Sequence, residues 1–444
     1  MQHIQKHIQE HHVAGRRWRI GLLLGAGVLV NYFDRSVISV AAPDLQREFA
    51  INAITLGFLF SAFNWSYSLL QIPAGIVLDR FGVTLVNRIG TLLWACASFI
   101  TAFASGIGGI FAARLVLGVA EAPGFPANAK ATGYWFPRQE RGLATALFDA
   151  AAKFSNVIGV PLVGFITVQF GWRGAFLCVA GLSLVYFFAF LLIYRDPSKD
   201  KGLSPEELAY IREGGATPEG ESSEGIAGMF GYIIARRKVW GLTIGFACYG
   251  YSFALFSTWL PNYFVREMHM SILGSATFTT IPWFCATIAD LFFGGWVIDH
   301  LIQSGYDPTR VRKSVLVIGM LIGCAIFGAG FTSNATWALV WLSVSLSGLA
   351  AAAPAGWSIP ALIAPRGGTG TIGGIMNWVN AMMAVVAPIV TGYIVGMTGS
   401  FAGAFLVAGV VLAVGIAAYV FMLGRIEPIP EPQHRDVGAA GARG

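Results

Sequence analysis

The stretch Asn31-Tyr32-Phe33-Asp34-Arg35 places an acid and a base side by side within an apolar run from about residue 20 to residue 42. A helix of this length crosses the hydrocarbon core of a bilayer. A charge at the centre of such a helix costs roughly 2.5 to 3.5 kcal/mol, so a charged side chain that is kept there usually has a function. We interpret Asp34 and Arg35 as residues of a functional site. The alternative is a neutral ion pair that only holds helices together.

The composition agrees with a chain that lies mainly within a membrane. Of the 444 residues, 55% are hydrophobic and 12% are charged, which is about half the charged share of a soluble domain. Apolar runs recur along the chain and predict twelve spanning helices. The runs lie at about 20–42, 53–78, 84–104, 108–131, 142–168, 172–194, 239–265, 273–298, 314–331, 335–362, 369–397 and 401–423.

These runs form two groups of six around a polar segment, which predicts an all-α membrane protein built from two halves. Its parts are a cytoplasmic tail at 1–19, an N-terminal six-helix bundle at 20–194, a cytoplasmic linker at 195–238, a C-terminal six-helix bundle at 239–424 and a cytoplasmic tail at 425–444. Within the linker, Ser204-Pro205-Glu206-Glu207 is a capping box with proline at the first helical position, so one short surface helix should begin there.

The basic residues predict the orientation of the chain. Of the 29 Lys and Arg residues, three would lie outside, and three (Arg35, Arg114 and Lys153) lie within spans, which leaves 23 on the side of the termini. Because positive residues concentrate on cytoplasmic segments, we expect both termini to be cytoplasmic. This asymmetry explains the net charge of +6 without a nucleic-acid partner.

No pattern in the chain is typical of a metal site or an enzyme. The five cysteines lie in apolar segments without CxxC spacing, so we interpret them as small core residues. The histidines of the first tail (His3, His7, His11 and His12) lack the fixed spacing of metal ligands. The motifs HExxH, GxSxG and GxGD do not occur. We therefore expect no cofactor, no metal and no catalytic activity.

The two halves repeat one another, which is how transporters are commonly built. Gly75-Ile76-Val77-Leu78-Asp79-Arg80 ends the second span, and Gly295-Trp296-Val297-Ile298-Asp299-His300 ends the eighth. Together with the six-plus-six layout, the GxxxDRxG element at 75–82 and its weaker copy resemble the major facilitator superfamily. The resemblance implies that Asp79, Arg80 and Asp299 are gate residues; the alternative is ordinary interfacial charge. The chain departs from the family pattern at Val83, where a further base is usual, and at His300, which replaces an arginine.

Further motifs resemble the anion:cation symporter family, which includes bacterial transporters of galactonate, glucarate and hexuronates. The motifs are Asn31-Tyr32-Phe33-Asp34-Arg35 with Ala41-Ala42-Pro43, Glu121-Ala122-Pro123-Gly124-Phe125-Pro126, Gly171-Trp172-Arg173, Thr258-Trp259-Leu260-Pro261 and Leu203-Ser204-Pro205-Glu206-Glu207. The resemblance implies proton-driven uptake of a carboxylate. It further implies that Asp34 and Glu121 carry protons, that Arg35 binds the anion, that Tyr67 lines the cavity and that Asn377 occupies a cavity position.

Depth along the helices indicates which of these residues can meet. The first span runs outward, so Asp34 and Arg35 lie about 12 Å from its outer end. The fourth span runs inward, which places Arg114 about 9 Å from its outer end and Glu121 about 10 Å deeper on the same face. We therefore expect Asp34 to reach Arg114 and Arg35 to reach Glu121, and we interpret Arg114 as a further substrate-binding residue beside Arg35. With both acids protonated, Arg35 would be free to bind a substrate carboxylate in a nearly neutral cavity.

The fifth span offers a further cation. Asp149 and Lys153 are spaced i,i+4, so one interpretation is an ion pair within the helix. The other makes Lys153 a second anion contact, because its depth of about 16 Å from the cytoplasmic end is close to that of Glu121. If Lys153 binds the anion, a substrate with two carboxylates is expected. If Lys153 only pairs with Asp149, one carboxylate is expected. In the second half we interpret Asp290 as an interfacial acid.

Two other transport functions compete with a proton-coupled anion symporter. A sodium-coupled organic anion carrier would use the same carboxylates. A proton-driven exporter of small molecules should prefer an apolar cavity, which Arg35 disfavours. A receptor that has lost transport would carry a larger cytoplasmic extension than either tail here. The short external loops predict the bacterial inner membrane, and we expect a multi-pass monomer in the lipid bilayer whose partners are a small organic anion and protons.

Overall fold

A computed structural model describes residues 15–137, 140–216, 226–365 and 368–431, and within these ranges the regular secondary structure is helical throughout. Ten helices of the described part are long and apolar enough to cross a membrane. Two glycines with positive φ, Gly82 at 76° and Gly171 at 70°, break the continuous helices Gln71–Ala102 and Arg141–Ile193. Division at these breaks gives the twelve spanning segments that the hydropathy pattern predicts.

The spanning segments are numbered α1 to α12 in chain order. The first half holds α1 Arg16–Phe49, α2 Ala53–Leu69 with its continuation at 71–81, α3 83–102, α4 Ile107–Trp135, α5 141–170 and α6 172–193. The second half holds α7 Arg237–Arg266, α8 Ile272–Gln303, α9 Pro308–Ala329, α10 Ala335–Ile363, α11 Thr369–Thr398 and α12 Ala402–Met422. Between the halves lie the short helices Pro205–Glu213 and Ile226–Ile234.

The structure corrects the predicted bounds of three spans. α1 extends beyond 20–42 at both ends and includes Pro43. α4 consists of Ile107–Glu121 and Gly124–Trp135, because the prolines at this point lack the N–H that a continuous helix needs. α9 begins at Pro308, six residues before the predicted 314, since the Asp307 side chain accepts a hydrogen bond of 2.8 Å from the Arg310 N–H.

The linker helix begins at the predicted capping box, but the carboxylate of Glu207 caps α1 instead of its own helix. Ser204 Oγ accepts a 3.1 Å hydrogen bond from the Glu207 N–H. Glu207 itself is fully buried and accepts from the backbone N–H groups of Arg16 and Arg17 at 3.2 and 3.1 Å. One acid thus caps the N-terminus of α1 and fastens the linker beneath the first half.

The Arg17 side chain forms ion pairs with both Glu207 and a second acid, Glu140. Its Nη1 lies 3.0 Å from Glu207, and its Nε lies 2.7 Å from Glu140 Oε2. Burial alone would raise the pKa of Glu140, but the hydrogen bonds from Arg17 and Tyr210 outweigh burial and lower that pKa below its ordinary value. Glu140 therefore stays ionised at neutral pH and binds Arg17 of α1 and Tyr210 of the linker helix.

The two halves meet closely at the end of the bundle opposite the termini. Ser39 Oγ of α1 donates a 2.7 Å hydrogen bond to the Thr258 carbonyl of α7. Glycines allow α2 and α11 to touch: a Cβ at Gly57 would lie 2.5 Å from the Pro388 carbonyl oxygen. Small residues at such a crossing let helix backbones approach. The halves are therefore closed on each other at this end.

Contacts between the halves continue to about the middle of the bundle. There Asn377 Nδ2 of α11 donates to Gln71 Oε1 at 3.4 Å, and Lys153 of α5 meets Asp290 of α8. The two halves therefore touch at mid-depth as well as at the end opposite the termini.

Candidate functional site

Arg35 lies at the centre of the candidate site, on the face of α1 that turns toward α2 and α4. Its Nε donates to Glu121 Oε2 at 2.9 Å, as the depth along the helices predicts. The guanidinium carbon lies 4.8 Å from the ring centroid of Tyr32, 4.6 Å from that of Phe63 and 4.9 Å from that of Tyr67. Three aromatic faces and one carboxylate thus share a single cation.

This cation keeps capacity for a further ligand. The Arg35 side chain is 20% exposed, whereas that of Glu121 is fully buried. Arg35 Nη2 makes no hydrogen bond, although it is shielded from solvent. A guanidinium presents five donors in a planar fork that matches a carboxylate. Arg35 is therefore held in place by Glu121 while it retains donors for a second acid.

The Asp34 side chain points about 100° away from that of Arg35 around the axis of α1, because consecutive residues of a helix are turned by that angle. Its fully buried carboxylate accepts hydrogen bonds from Ser98 of α3 and from Ser183 of α6, the latter at 2.8 Å. The sequence gives no signal for these two serines, since hydroxyl side chains are common in spanning helices. Asp34 thus belongs to the packed interior of the first half, one layer behind Arg35.

Arg114 approaches Asp34 in a different manner from the expected one. Its Nη1 donates to the Asp34 backbone carbonyl at 3.1 Å, not to the carboxylate. The residue is only 3% exposed and lies 5.5 Å from the Phe63 ring centroid. Phe63 thus lies against both Arg114 and Arg35. The geometry places Arg114 as a support for the backbone of α1 and gives no support to the expectation that it binds substrate.

Glu121 also borders a small polar pocket inside the first half. The pocket is lined by Asn31 of α1, by Asn87 and Thr91 of α3 and by Asn128 of α4. All four side chains are buried. A polar cavity of this kind is suited to ordered water. Glu121 thus has Arg35 on one side and hydrogen-bonding side chains on the other.

Lys153 pairs with an acid of the other half. Its Nζ lies 2.8 Å from Asp290 Oδ2, and the two side chains are 12% and 7% exposed. The interpretation of Asp290 as an interfacial acid was therefore wrong, because the approach of α5 to α8 buries it. Asp290 also begins a π-helical stretch, Asp290–Val297, which shifts the face that α8 presents. The side chain of Asp149 lies outside the described part, so its pairing with Lys153 stays a prediction.

Tyr67 and Asn377, which the family resemblance assigns to the cavity, lie on α2 and α11. Tyr67 stacks on Phe63 with 5.2 Å between ring centroids and is 8% exposed. Asn377 is half-buried against Gln71.

The predicted gate residues lie at the end of the bundle that carries the termini, each within its own half. Asp79 Oδ1 forms an ion pair with Lys130 Nζ of α4 at 2.5 Å. Arg80 is exposed beside the Phe81 ring, and Asp299 is exposed on α8. Asp79 is thus tied to a helix of the same half.

Metal ligands do not cluster in the described ranges: no group of three or more His, Cys, Asp or Glu side chains there could hold an ion. The four histidines of the first tail lie outside the described residues.

Comparison with known sequences identifies relatives along nearly the whole chain. The family model described as Major Facilitator Superfamily matches residues 24–388. The "Uncharacterized transporter YybO" of Bacillus subtilis is 42% identical over 414 residues, which cover 93% of this chain and 95% of that protein. The probable galactarate/D-glucarate transporter GudP of Escherichia coli is 32% identical over 428 residues, 93% and 94% of the two chains. The probable sulfoacetate transporter SauU of Cupriavidus necator is 32% identical over 396 residues, 88% and 90% of the two chains.

Solved structures show the same fold. A bacterial homologue of the human lysosomal transporter Spinster, crystallised in an inward-facing and occupied conformation, superimposes with a TM-score of 0.74 at 16% identity and covers 92% of this chain and 97% of that one. The D-xylose-proton symporter gives a TM-score of 0.72 at 16% identity over 93% and 98% of the two chains. At such identities the likeness concerns the arrangement of the twelve helices alone.

Proposed function

The chain belongs to the Major Facilitator Superfamily, and from that premise we propose that it is a proton-coupled symporter of an organic anion, a sugar acid or a related mono- or dicarboxylate. Two relatives carry names that refer to galactarate and D-glucarate or to sulfoacetate, which are small organic anions. The observation that carries the proposal is Arg35: a cation in the middle of the bundle, 20% exposed, with one unused donor beside a buried acid.

Competition for Arg35 would couple the proton to the anion. Arginine stays charged at any physiological pH, so it is satisfied either by Glu121 or by a substrate carboxylate. Protonation of Glu121 removes its charge and frees Arg35 for the substrate. The loaded cavity is then close to neutral, and it can close without an unpaired buried charge. An empty, deprotonated site is also neutral, because Glu121 then pairs with Arg35 again.

Asp34 would serve as the second proton carrier. It has no basic side chain as a direct partner at its carboxylate, which is held by the hydroxyl groups of Ser98 and Ser183. A hydroxyl group can accept as well as donate a hydrogen bond, so these serines suit both states of the acid. Uptake of a proton at Asp34 would thus need only a rotation of hydroxyl hydrogens.

The close contact between α2 and α11 supports a proposal about the side from which substrate enters. If the termini are cytoplasmic, as the basic residues indicate, the halves are closed toward the outside and substrate reaches Arg35 from the cytoplasm in this conformation. The proposed location is the inner membrane of a bacterium. The gate residues Asp79, Arg80 and Asp299 would come together only when this cytoplasmic side closes.

Counterflow in proteoliposomes tests the function. We expect the full-length protein to exchange at least one member of a panel of mono- and dicarboxylic sugar acids and sulfonates. We also expect an inward proton gradient in sodium-free buffer to drive net uptake, and a protonophore to abolish it. Uptake that needs sodium and ignores the protonophore would establish the sodium-coupled alternative instead. Exchange of apolar cations but of no anion would establish the exporter.

The Lys153–Asp290 pair leads to a prediction about the number of carboxylates. The double variant Lys153→Met with Asp290→Asn removes both charges of this ion pair together, so neither partner leaves the other behind as a buried charge. If Lys153 binds a second carboxylate, the variant should raise the KM for galactarate by roughly 10 to 100-fold, the worth of one charge-assisted hydrogen bond, and leave the KM for galactonate within about threefold.

The matched control is Asp290→Asn alone. It releases Lys153 from its acid and should keep or lower the KM for the dicarboxylate. Equal changes for mono- and dicarboxylates in both variants would contradict a substrate contact and assign the pair to the packing of α5 against α8.

A further inference from the structure

A basic pocket lies where α1 and α6 meet the linker, at the end of the bundle that carries the termini. It has a volume of about 400 Å³ and is lined by Arg16, Arg195, Lys199 and Lys201, with Asp200 among them. It is remote from Arg35 along the chain and in depth, since these residues flank the ends of the spanning helices whereas Arg35 lies in mid-span. The proposed transport does not use it.

Three guanidinium groups converge at the C-terminal end of α6. Arg195 Nη1 donates to the Leu191 and Tyr194 carbonyls at 2.7 and 2.8 Å. Arg88 Nη2 of α3 reaches the same two carbonyls at 3.4 Å each. Arg16 Nη2 donates to the neighbouring Ile193 carbonyl at 3.0 Å. A helix end offers only about half a negative charge, so these carbonyls offset the cations in part.

The carboxylates nearby leave positive charge in excess. Asp200 is buried and pairs with Arg16 at 2.8 Å, and its other oxygen accepts from the Gly202 N–H at 2.7 Å. Lys199 and Lys201 are both exposed, and neither ammonium group has a hydrogen bond or an ion pair within the described chain. The pocket therefore presents free donors around a cavity with a surplus of positive charge.

The walls of the pocket indicate which anion fits. Leu192 and Ile193 line it together with the basic residues and are 73% and 38% exposed. They belong to the last turn of α6, at the depth where headgroups meet hydrocarbon. A soluble anion gains nothing from an apolar wall, whereas a phospholipid places its phosphate among cations and its acyl chains against leucine and isoleucine. We propose that this pocket binds the headgroup of an anionic phospholipid.

Binding measurements on the purified full-length protein test the site. After delipidation, the protein is titrated with phosphatidylglycerol and with phosphatidylcholine of the same acyl chains, and retained lipid is counted by native mass spectrometry. We expect phosphatidylglycerol to bind roughly tenfold tighter. Lys199→Ala with Lys201→Ala should reduce its affinity roughly 10 to 30-fold, since each basic residue near the surface contributes a comparable share.

The control removes the same charge elsewhere. Arg310→Ala with Arg425→Ala deletes two exposed cations from the same end of the second half and should leave phosphatidylglycerol binding unchanged. Equal losses in the two double variants, or equal binding of both lipids to the wild type, would overturn the proposal. Displacement of phosphatidylglycerol by millimolar inorganic phosphate would overturn the lipid assignment in favour of a soluble anion. Because all four residues are exposed, the variants should share the Tm of the lipid-free wild type.

Discussion

Glu121→Gln is expected to abolish uptake driven by a proton gradient while exchange of substrate across the membrane continues. Glutamine has the shape of protonated glutamic acid and carries no charge, so the variant mimics the loaded state permanently. Glu121 Oε2 accepts a 2.9 Å hydrogen bond from Arg35 Nε, and the Glu121 side chain is fully buried. A neutral amide oxygen competes with a substrate carboxylate much less strongly than a carboxylate does, because charge-assisted bonds are about twice as strong. Substrate binding should therefore survive.

Two measurements on the same proteoliposomes separate the steps. In counterflow at equal pH on both sides, we expect the variant to stay within about threefold of the wild type, since this exchange needs no net proton movement. With an inward proton gradient, accumulation above equilibrium should vanish. We expect the substrate affinity of the wild type to depend on pH and that of the variant to lose this dependence, because the group that competes for Arg35 no longer titrates.

A matched control is Glu48→Gln. Glu48 also pairs with an arginine of the first half, at 2.6 Å from Arg173 Nη1, but at the end of α1 opposite the termini. The control should keep gradient-driven accumulation. If Glu121→Gln retains it as well, Glu121 is not the coupling residue, and Asp34 becomes the remaining buried acid of the site that could take its place.

The Arg35–Glu121 contact could be predicted from the sequence, and the surroundings of Asp34 could not. Depth in a membrane depends only on the rise per residue, which is nearly constant, so two helices of opposite direction can be aligned by counting. The rotation of each helix about its axis depends on packing against every neighbour. Ser98 lies on α3 and Ser183 on α6, whereas the depth comparison concerned α1 and α4. A serine in a spanning helix is too common to indicate a contact with Asp34 by itself.

The same limit explains Asp290. Hydropathy placed it near the end of the eighth span, where an acid commonly reaches water. Its burial depends on Lys153 of another half and on the π-helical stretch that follows it, and neither is visible in local composition. Glu207 is an intermediate case. The capping box correctly predicted where the linker helix begins, but the carboxylate was free to cap α1 instead, because Ser204 alone satisfies the start of its own helix.

Arg35→Lys is expected to reduce substrate affinity roughly 100-fold although it keeps the positive charge. Lysine has a single ammonium group, so it cannot form two parallel hydrogen bonds with a carboxylate. It also lacks the planar guanidinium that contacts three aromatic rings in the wild type. Loss of one charge-assisted bond and of the stacked geometry together is worth about 3 kcal/mol, which is close to two orders of magnitude in Kd. Equilibrium binding to the detergent-purified protein measures this without any contribution from transport.

Arg114→Lys is the matched control, because Arg114 is an arginine of the same site that also lies against Phe63. Its hydrogen bond to the Asp34 carbonyl needs only one donor, which lysine can supply, so substrate affinity should change by less than about threefold and the Tm should fall. The opposite pattern, with affinity lost in Arg114→Lys and kept in Arg35→Lys, would contradict the prediction and assign the anion site to Arg114 of α4. The exposure of Arg35 at 20% and of Arg114 at 3% is the reason to expect the first pattern: an anion that arrives from the cavity meets Arg35 first.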